Sequence, residues 1–156
     1  VIGLLQRVAH AEVSVDGAVV AAIGRGLLVL IGVEAGDSEA QANRLVERLL
    51  GYRVFPDPAG RMNLSLQDIG GGLLLVPQFT LAADTSSGTR PGFSTAAVPE
   101  AGRALFEHLV ERARAQHAAV GSGRFGADMQ VALVNDGPVT FWLRAAPAAA
   151  GAGKSS

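Results

Sequence analysis

Two segments of this 156-residue chain stand out for the chemistry they could carry: Gln78-Phe79-Thr80-Leu81 and Asn135-Asp136-Gly137-Pro138-Val139-Thr140. Neither has a conventional catalytic acid, base or thiol in its core. They offer backbone amides, carbonyl groups and hydroxyls, so chemistry built on them depends on main-chain geometry.

The usual catalytic arrangements are missing. His10 lies on the polar face of a strand pattern, and His108 and His117 are nine residues apart, which does not match the i, i+4 pair of a zinc helix. There is no GxSxG elbow, Gly24-Arg25-Gly26 and Gly70-Gly71-Gly72 do not supply GxGxxG or GxxxxGK[ST], and no carboxylates are spaced as an acid/base pair. The absence of cysteine excludes disulfides, thiolate catalysis and zinc–cysteine sites. No cofactor or metal is expected.

The elements that must position these segments follow from patterning. Leu5 to Val15 alternates as a half-buried strand whose apolar face is interrupted by Arg7. Asp16-Gly17 signals a hairpin, with Ala18 to Ile23 returning antiparallel and Gly26 to Val33 forming a deeper strand. Ser38 with Gln41 makes a capping box for a helix reaching about Tyr52, with Ala42, Leu45, Val46 and Leu49 on its inner face. Leu73 to Val76 reads as a buried strand, and Ala83 to Ala97 as an irregular stretch in which Asp84 to Ser94 is expected to face substrate. Pro99 opens a second helix ending near Gly121-Ser122-Gly123. Two last strands, about Ala127 to Val134 and Val139 to Leu143, flank an Asn-Asp-Gly-Pro turn. The expected class is α/β of the α+β type: antiparallel or mixed sheets in a sandwich- or barrel-like core with two main helices. The parallel βαβ alternation of a nucleotide-binding fold is not seen.

With 49% hydrophobic and 17% charged residues, the chain suits one compact domain over residues 1–144, followed by a disordered Ala/Gly-rich tail at 145–156. The eight-residue apolar run Gly26 to Val33 is far short of the roughly 20 residues that cross a bilayer, and no signal-peptide pattern is present. A cytoplasmic protein is expected. A net charge of −1, with twelve Arg and one Lys, argues against broad nucleic-acid binding and leaves room for a local arginine patch.

The two segments, at this separation, resemble the signature motifs of D-aminoacyl-tRNA deacylases. The resemblance spans Val1 to about Leu143 and takes in Gln6-Arg7-Val8, Arg90-Pro91, Phe93-Ser94, Gly123-Arg124-Phe125 and Ala127-Asp128-Met129. It implies a cytoplasmic homodimer that hydrolyses the ester between a D-amino acid and the terminal adenosine of tRNA, and glycyl-tRNA as well. It also implies a cis Gly137-Pro138 bond that reaches into the partner's site to face Gln78, Phe79 and Thr80, with Arg7 fixing that segment through backbone carbonyls. A plain hairpin connection for Gly137-Pro138, and an Arg7 that reaches solvent, are the bland alternatives.

A Thr80 nucleophile would need an adjacent base, which its motif lacks. The favoured reading is an oxyanion hole of Phe79 and Thr80 amides, assisted by the ribose 2′-hydroxyl. Phe125 and Met129 are either core or a stacking platform for the adenine, and Arg90 and Arg124 are candidates for phosphate contacts. One departure is Pro77, where the family usually has Ser. A Pro-Gln start resembles a related group that removes L-alanine from tRNA. An editing domain for L-seryl-tRNA and a non-catalytic tRNA-binding dimer are further alternatives.

Overall fold

The structure, a computed structural model, describes residues 1–147. Strand β1 (Ile2–Val15) turns through Asp16 and Gly17, both at positive φ (50° and 79°), into β2 (Ala18–Ile23). Two positive φ values give the tight turn whose twist matches that of the strands it joins. β3 (Gly26–Gly32) continues the same course, so β2 pairs with the second half of β1 and β3 with the first. The last strand, β8 (Gln130–Arg144), is antiparallel to β1 along nearly its whole length. A strand has two hydrogen-bonding edges, so β2 and β3 share one edge of β1 and β8 occupies the other.

Parallel pairing completes the sheet. From β3 the chain passes through α1 (Glu39–Gly51), the small hairpin β4 (Phe55–Pro56) and β5 (Met62–Leu64), and the single turn α2 (Leu66–Ile69). It then enters β6 (Gly72–Pro77), parallel to β3. After a 3₁₀ turn (Phe79–Ala82) comes α3 (Pro99–Gln116), which leads into β7 (Val120–Ser122), parallel to β6. The result is a mixed sheet nearly closed into a barrel, with three helices. Helix-bearing crossovers were not apparent in the sequence, because the long stretches between parallel strands hide the alternation.

The core has two compartments. Leu27, Val29, Leu73 and Leu75 face outward against α1 and α3, where they meet Leu45 and Leu109. Leu28, Leu74 and Val76 face inward with Val8 and Val13. β3 and β6 are thus covered on both faces, which is why they read as continuous apolar runs. Each fully buried leucine contributes roughly 1.5–3 kcal/mol. Helix α1 starts as expected, with the Gln41 side chain accepting the Ser38 N–H at 2.7 Å.

Four expectations need correction. α3 stops at Gln116 rather than near Gly121, because Val120–Ser122 is drawn into the sheet as β7. Residues 127–129 precede β8 instead of opening it. Asn135–Thr140 is a bulge inside one strand, since Gln6 pairs with Thr140 and Val8 with Asn135, leaving the intervening β8 residues to bow outward. Ala145, assigned to the tail, is buried and its N–H donates to the Val1 carbonyl at 2.9 Å. Ala146 and Pro147 are exposed and outside any element, and the part of the tail assignment at 148–156 lies outside the described residues. Among the described residues, no helix is long and apolar enough to cross a membrane.

Candidate active site

Where β6 ends, the Gln78 N–H makes a last bond to the Ile31 carbonyl at 2.7 Å, and the chain then coils into the 3₁₀ turn. The turn's own bonds begin with the Leu81 N–H, which donates to the Gln78 carbonyl at 3.2 Å. The Phe79 and Thr80 amides come too early in the turn to have an acceptor within it. The Gln78 side-chain amide donates to the Thr80 hydroxyl oxygen. No His, Lys or carboxylate is bonded to that hydroxyl among the contacts of the described residues.

Gln78 and Phe79 form one wall of a cavity of ≈ 490 Å³. Phe125, Met129 and Asp128 line it from the loop before β8, and Gly102 and Phe106 from α3. Phe125 is held from three sides: its ring lies 6.5 Å from that of Phe106, the Arg103 guanidinium sits 5.0 Å above it, and Gly102 lies against it. A Cβ on Gly102 would stand 3.3 Å from the Phe125 ring, so the missing side chain is what lets the ring approach the helix. The Met129 sulfur accepts the Arg124 N–H at 3.4 Å. Both residues therefore line a cavity, which is more than either does as plain core.

The second motif lies elsewhere in the chain. Asn135 closes the neck of the bulge: its side-chain amide donates to the Thr140 hydroxyl at 2.9 Å, and its carbonyl oxygen accepts the Val139 N–H at 3.1 Å. Beneath the bulge, Arg7 donates to the Asp136 carbonyl at 3.0 Å and to the Val54 carbonyl at 2.8 Å. Arg7 is therefore engaged by backbone rather than extended to solvent. Gly137 has φ +134° and the Gly137–Pro138 bond is cis. None of Arg7, Gly137 and Pro138 lines the cavity at Gln78.

The remaining candidates divide. Arg124 borders hollows next to the cavity rather than the cavity itself. Arg90 lies in the exposed 83–97 loop, and no residue of 84–94 lines the cavity. That loop is nonetheless ordered at its base. Asp84 and Gly92 exchange backbone bonds of 2.7 and 2.9 Å, and the Ser86 side chain and N–H hold the Asp84 carboxyl below its ordinary range. Phe93 reaches back to the site, its ring 5.4 Å from that of Phe79. Gly102 and Phe106 were not singled out from sequence as site residues, and Phe93 entered only with the resemblance, without a role. A glycine inside an otherwise regular helix was the one available signal, whereas the Val54 carbonyl under Arg7 had none.

The family model described as D-Tyr-tRNA(Tyr) deacylase matches residues 4–144, and the chain belongs to that family. It is 66% identical over 149 residues to a D-aminoacyl-tRNA deacylase of Alkalilimnicola ehrlichii, covering 96% of this chain and 99% of that one. It is 62% identical over 159 residues to one from Ralstonia nicotianae, covering 99% and 96%. Among solved structures, a c-Myc DNA unwinding element binding protein superposes with a TM-score of 0.90 at 36% identity, covering 95% of this chain and all of that one. A probable eukaryotic D-amino acid tRNA deacylase shares the fold, with a TM-score of 0.75 at 19% identity over 91% of this chain and 97% of that one.

Proposed function

We propose that this protein is a D-aminoacyl-tRNA deacylase that works in the cytoplasm as a homodimer. Water adds to the carbonyl carbon of the ester between the D-amino acid and the terminal adenosine. The oxyanion that forms is held by the Phe79 and Thr80 N–H groups, and the bond to the ribose 3′-oxygen then breaks as that oxygen takes up a proton. Free D-amino acid and tRNA result. The neighbouring 2′-hydroxyl assists the attack, Phe125 and Met129 flank the adenine, and Gln78 supports the turn. Arg90 and Arg124 meet phosphates. Loss of one oxyanion donor typically costs about 10²–10³ in rate, so the backbone has enough leverage to serve as the catalyst.

The observation that carries this reading is the pair of amides without an acceptor in their own turn, of which Phe79 lines a cavity flanked by an aromatic ring and a thioether and Thr80, outside the lining, follows it in the turn. Two further features support the dimer. Among the described residues β8 pairs with β1 alone, which leaves its other edge without a strand there, and that strand exposes Val134 and Trp142. Gly137 and Pro138 are absent from the cavity of their own chain. Supplied by a partner, their carbonyls hold the substrate ammonium and fill the space an L side chain needs. Glycine has no side chain to reject and passes the same filter.

Pro77 favours one rival, removal of L-alanine. A panel of D-tyrosyl-, L-tyrosyl-, glycyl- and L-alanyl-tRNA separates the readings. Hydrolysis of the D-tyrosyl and glycyl esters with the L-tyrosyl ester spared is expected. Preference for L-alanyl-tRNA would move the protein to the related group, and turnover of none would leave a binding module.

A further inference from the structure

Two more hollows lie beside the cavity, each sharing lining residues with the next. The cavity shares Phe106 and Phe125 with a trough of ≈ 410 Å³ between α3 and β7. That trough shares Arg114, Ser122, Gly123 and Arg124 with a cleft of ≈ 740 Å³ where the barrel stays open between β7 and β2. Three guanidiniums border this course. Arg103 stands over Phe125 at the mouth of the cavity, Arg124 follows β7, and Arg114 lies farther along α3. At 1.5 Å per residue, Arg103 and Arg114 are about 16 Å apart along the helix.

The charge along the course changes in a consistent direction. The cavity contains Asp128, and the trough is mixed because Glu107 and Glu111 stand beside the arginines. The cleft has two arginines and, among the described residues, no carboxylate. The Arg103–Glu107 and Arg114–Glu111 pairs, at 3.9 and 3.7 Å, join exposed side chains one turn apart. Such pairs hold weakly and give way to a phosphate that binds an arginine with better geometry. β7 ends the sheet, so one of its backbone edges also faces the cleft.

We infer that this course binds the single-stranded sugar–phosphate chain on the 5′ side of the terminal adenosine, with Arg103 and Arg114 joining Arg124 as phosphate contacts. The inference rests on the cavity being the terminal-adenosine site. It makes Arg103 and Arg114 substrate-affinity residues with no part in bond breaking.

The test compares D-tyrosyl-tRNA with 3′-D-tyrosyl-adenosine, a substrate that has no 5′ phosphate, for the wild type, Arg103→Gln and Arg114→Gln. Each variant should lower the ratio of kcat/KM on tRNA to kcat/KM on the nucleoside about three- to tenfold, chiefly through KM. Each should also flatten the dependence of log KM on log salt by about 0.7, the loss of one phosphate on a single strand. Glu111→Gln, which frees Arg114, should lower KM for tRNA at low salt. Arg44→Gln on α1 removes the same charge elsewhere and should leave the ratio and the slope alone. Unchanged ratios and slopes in both arginine variants, or an equal response from Arg44→Gln, would overturn the course while leaving the deacylase reading intact. A wild type inactive on both substrates sinks that reading and the course with it.

Discussion

Arg7 on β1 and Asp136 in the bulge of β8 are joined by a 3.0 Å hydrogen bond from the guanidinium to a backbone carbonyl. The same guanidinium donates at 2.8 Å to Val54, on the segment leaving α1. One side chain therefore ties the protruding Gly137–Pro138 segment to the helical layer.

Arg7→Lys should loosen that tie, because an ammonium is a point donor and does not reproduce a planar fork that spans two carbonyls. Hydrogen bonds from charged groups are worth about 1.5–3 kcal/mol, so a drop of that order in unfolding free energy is expected. A fall of at least tenfold in kcat/KM on D-aminoacyl-tRNA should accompany it. Activity within twofold of the wild type would mean that the bulge positions itself.

Thr80→Val tests where the chemistry lies. The backbone amide survives this change, so kcat should fall by less than about tenfold, whereas loss of a true nucleophile costs several orders of magnitude. A substrate ending in 2′-deoxyadenosine should be slower by about 10²–10⁴, the range for a lost proton-transfer partner. The opposite pattern would return Thr80 to the role of nucleophile.

Gly102→Ala sets two effects against each other. Alanine gains up to about 1 kcal/mol in a helix interior, but its Cβ would stand 3.3 Å from the Phe125 ring. Melting temperature should change little while KM rises several-fold as the ring shifts. A stabilised enzyme with unaltered KM would show that the ring yields without cost to the site.

Trp142→Glu addresses assembly. Trp142 is 56% exposed on the strand whose outer edge has no partner among the described residues, and a carboxylate there opposes burial against a second copy. Sedimentation should show monomer, with activity on tRNA lost because no second chain supplies Gly137 and Pro138. A fully active monomer would contradict the shared site.

Stability should carry an acid limb from Glu34. Its carboxylate accepts bonds of 2.8 and 3.0 Å from Arg144, and this pairing is the main cause holding it below the ordinary glutamate range. A depressed carboxylate stabilises the fold above its unfolded value of about 4.3 and loses that contribution as pH falls through the lower folded value. Because Arg144 is about half exposed, the effect is about 0.5–1 kcal/mol. Denaturation of Glu34→Gln should trail the wild type near pH 7, and the gap should close in acid below about pH 4.

Much of the fold was legible from local pattern. The Asp16-Gly17 turn, the Ser38 cap and the buried runs of β3 and β6 are decided by residues near one another in the chain. The bulge was not. Asn-Asp-Gly-Pro is ordinary turn chemistry, and only the demand that β8 stay paired with β1 on both sides of it turns those residues into an outward bow. The parallel crossovers were hidden for a related reason, since strand order is set by long-range pairing that leaves no short-range mark.

The sequence by itself determined the family, the poverty of catalytic side chains and the two motifs, because residue identity and spacing are properties of the chain. Tertiary structure decided what those motifs touch. It placed Gln78 and Phe79 against Phe125 and Met129, residues some 50 positions away in the chain, and it kept Gly137 and Pro138 out of that cavity. Backbone amides have the same chemistry everywhere, and only the path of the folded chain leaves a particular pair without an acceptor in its own turn beside a cavity.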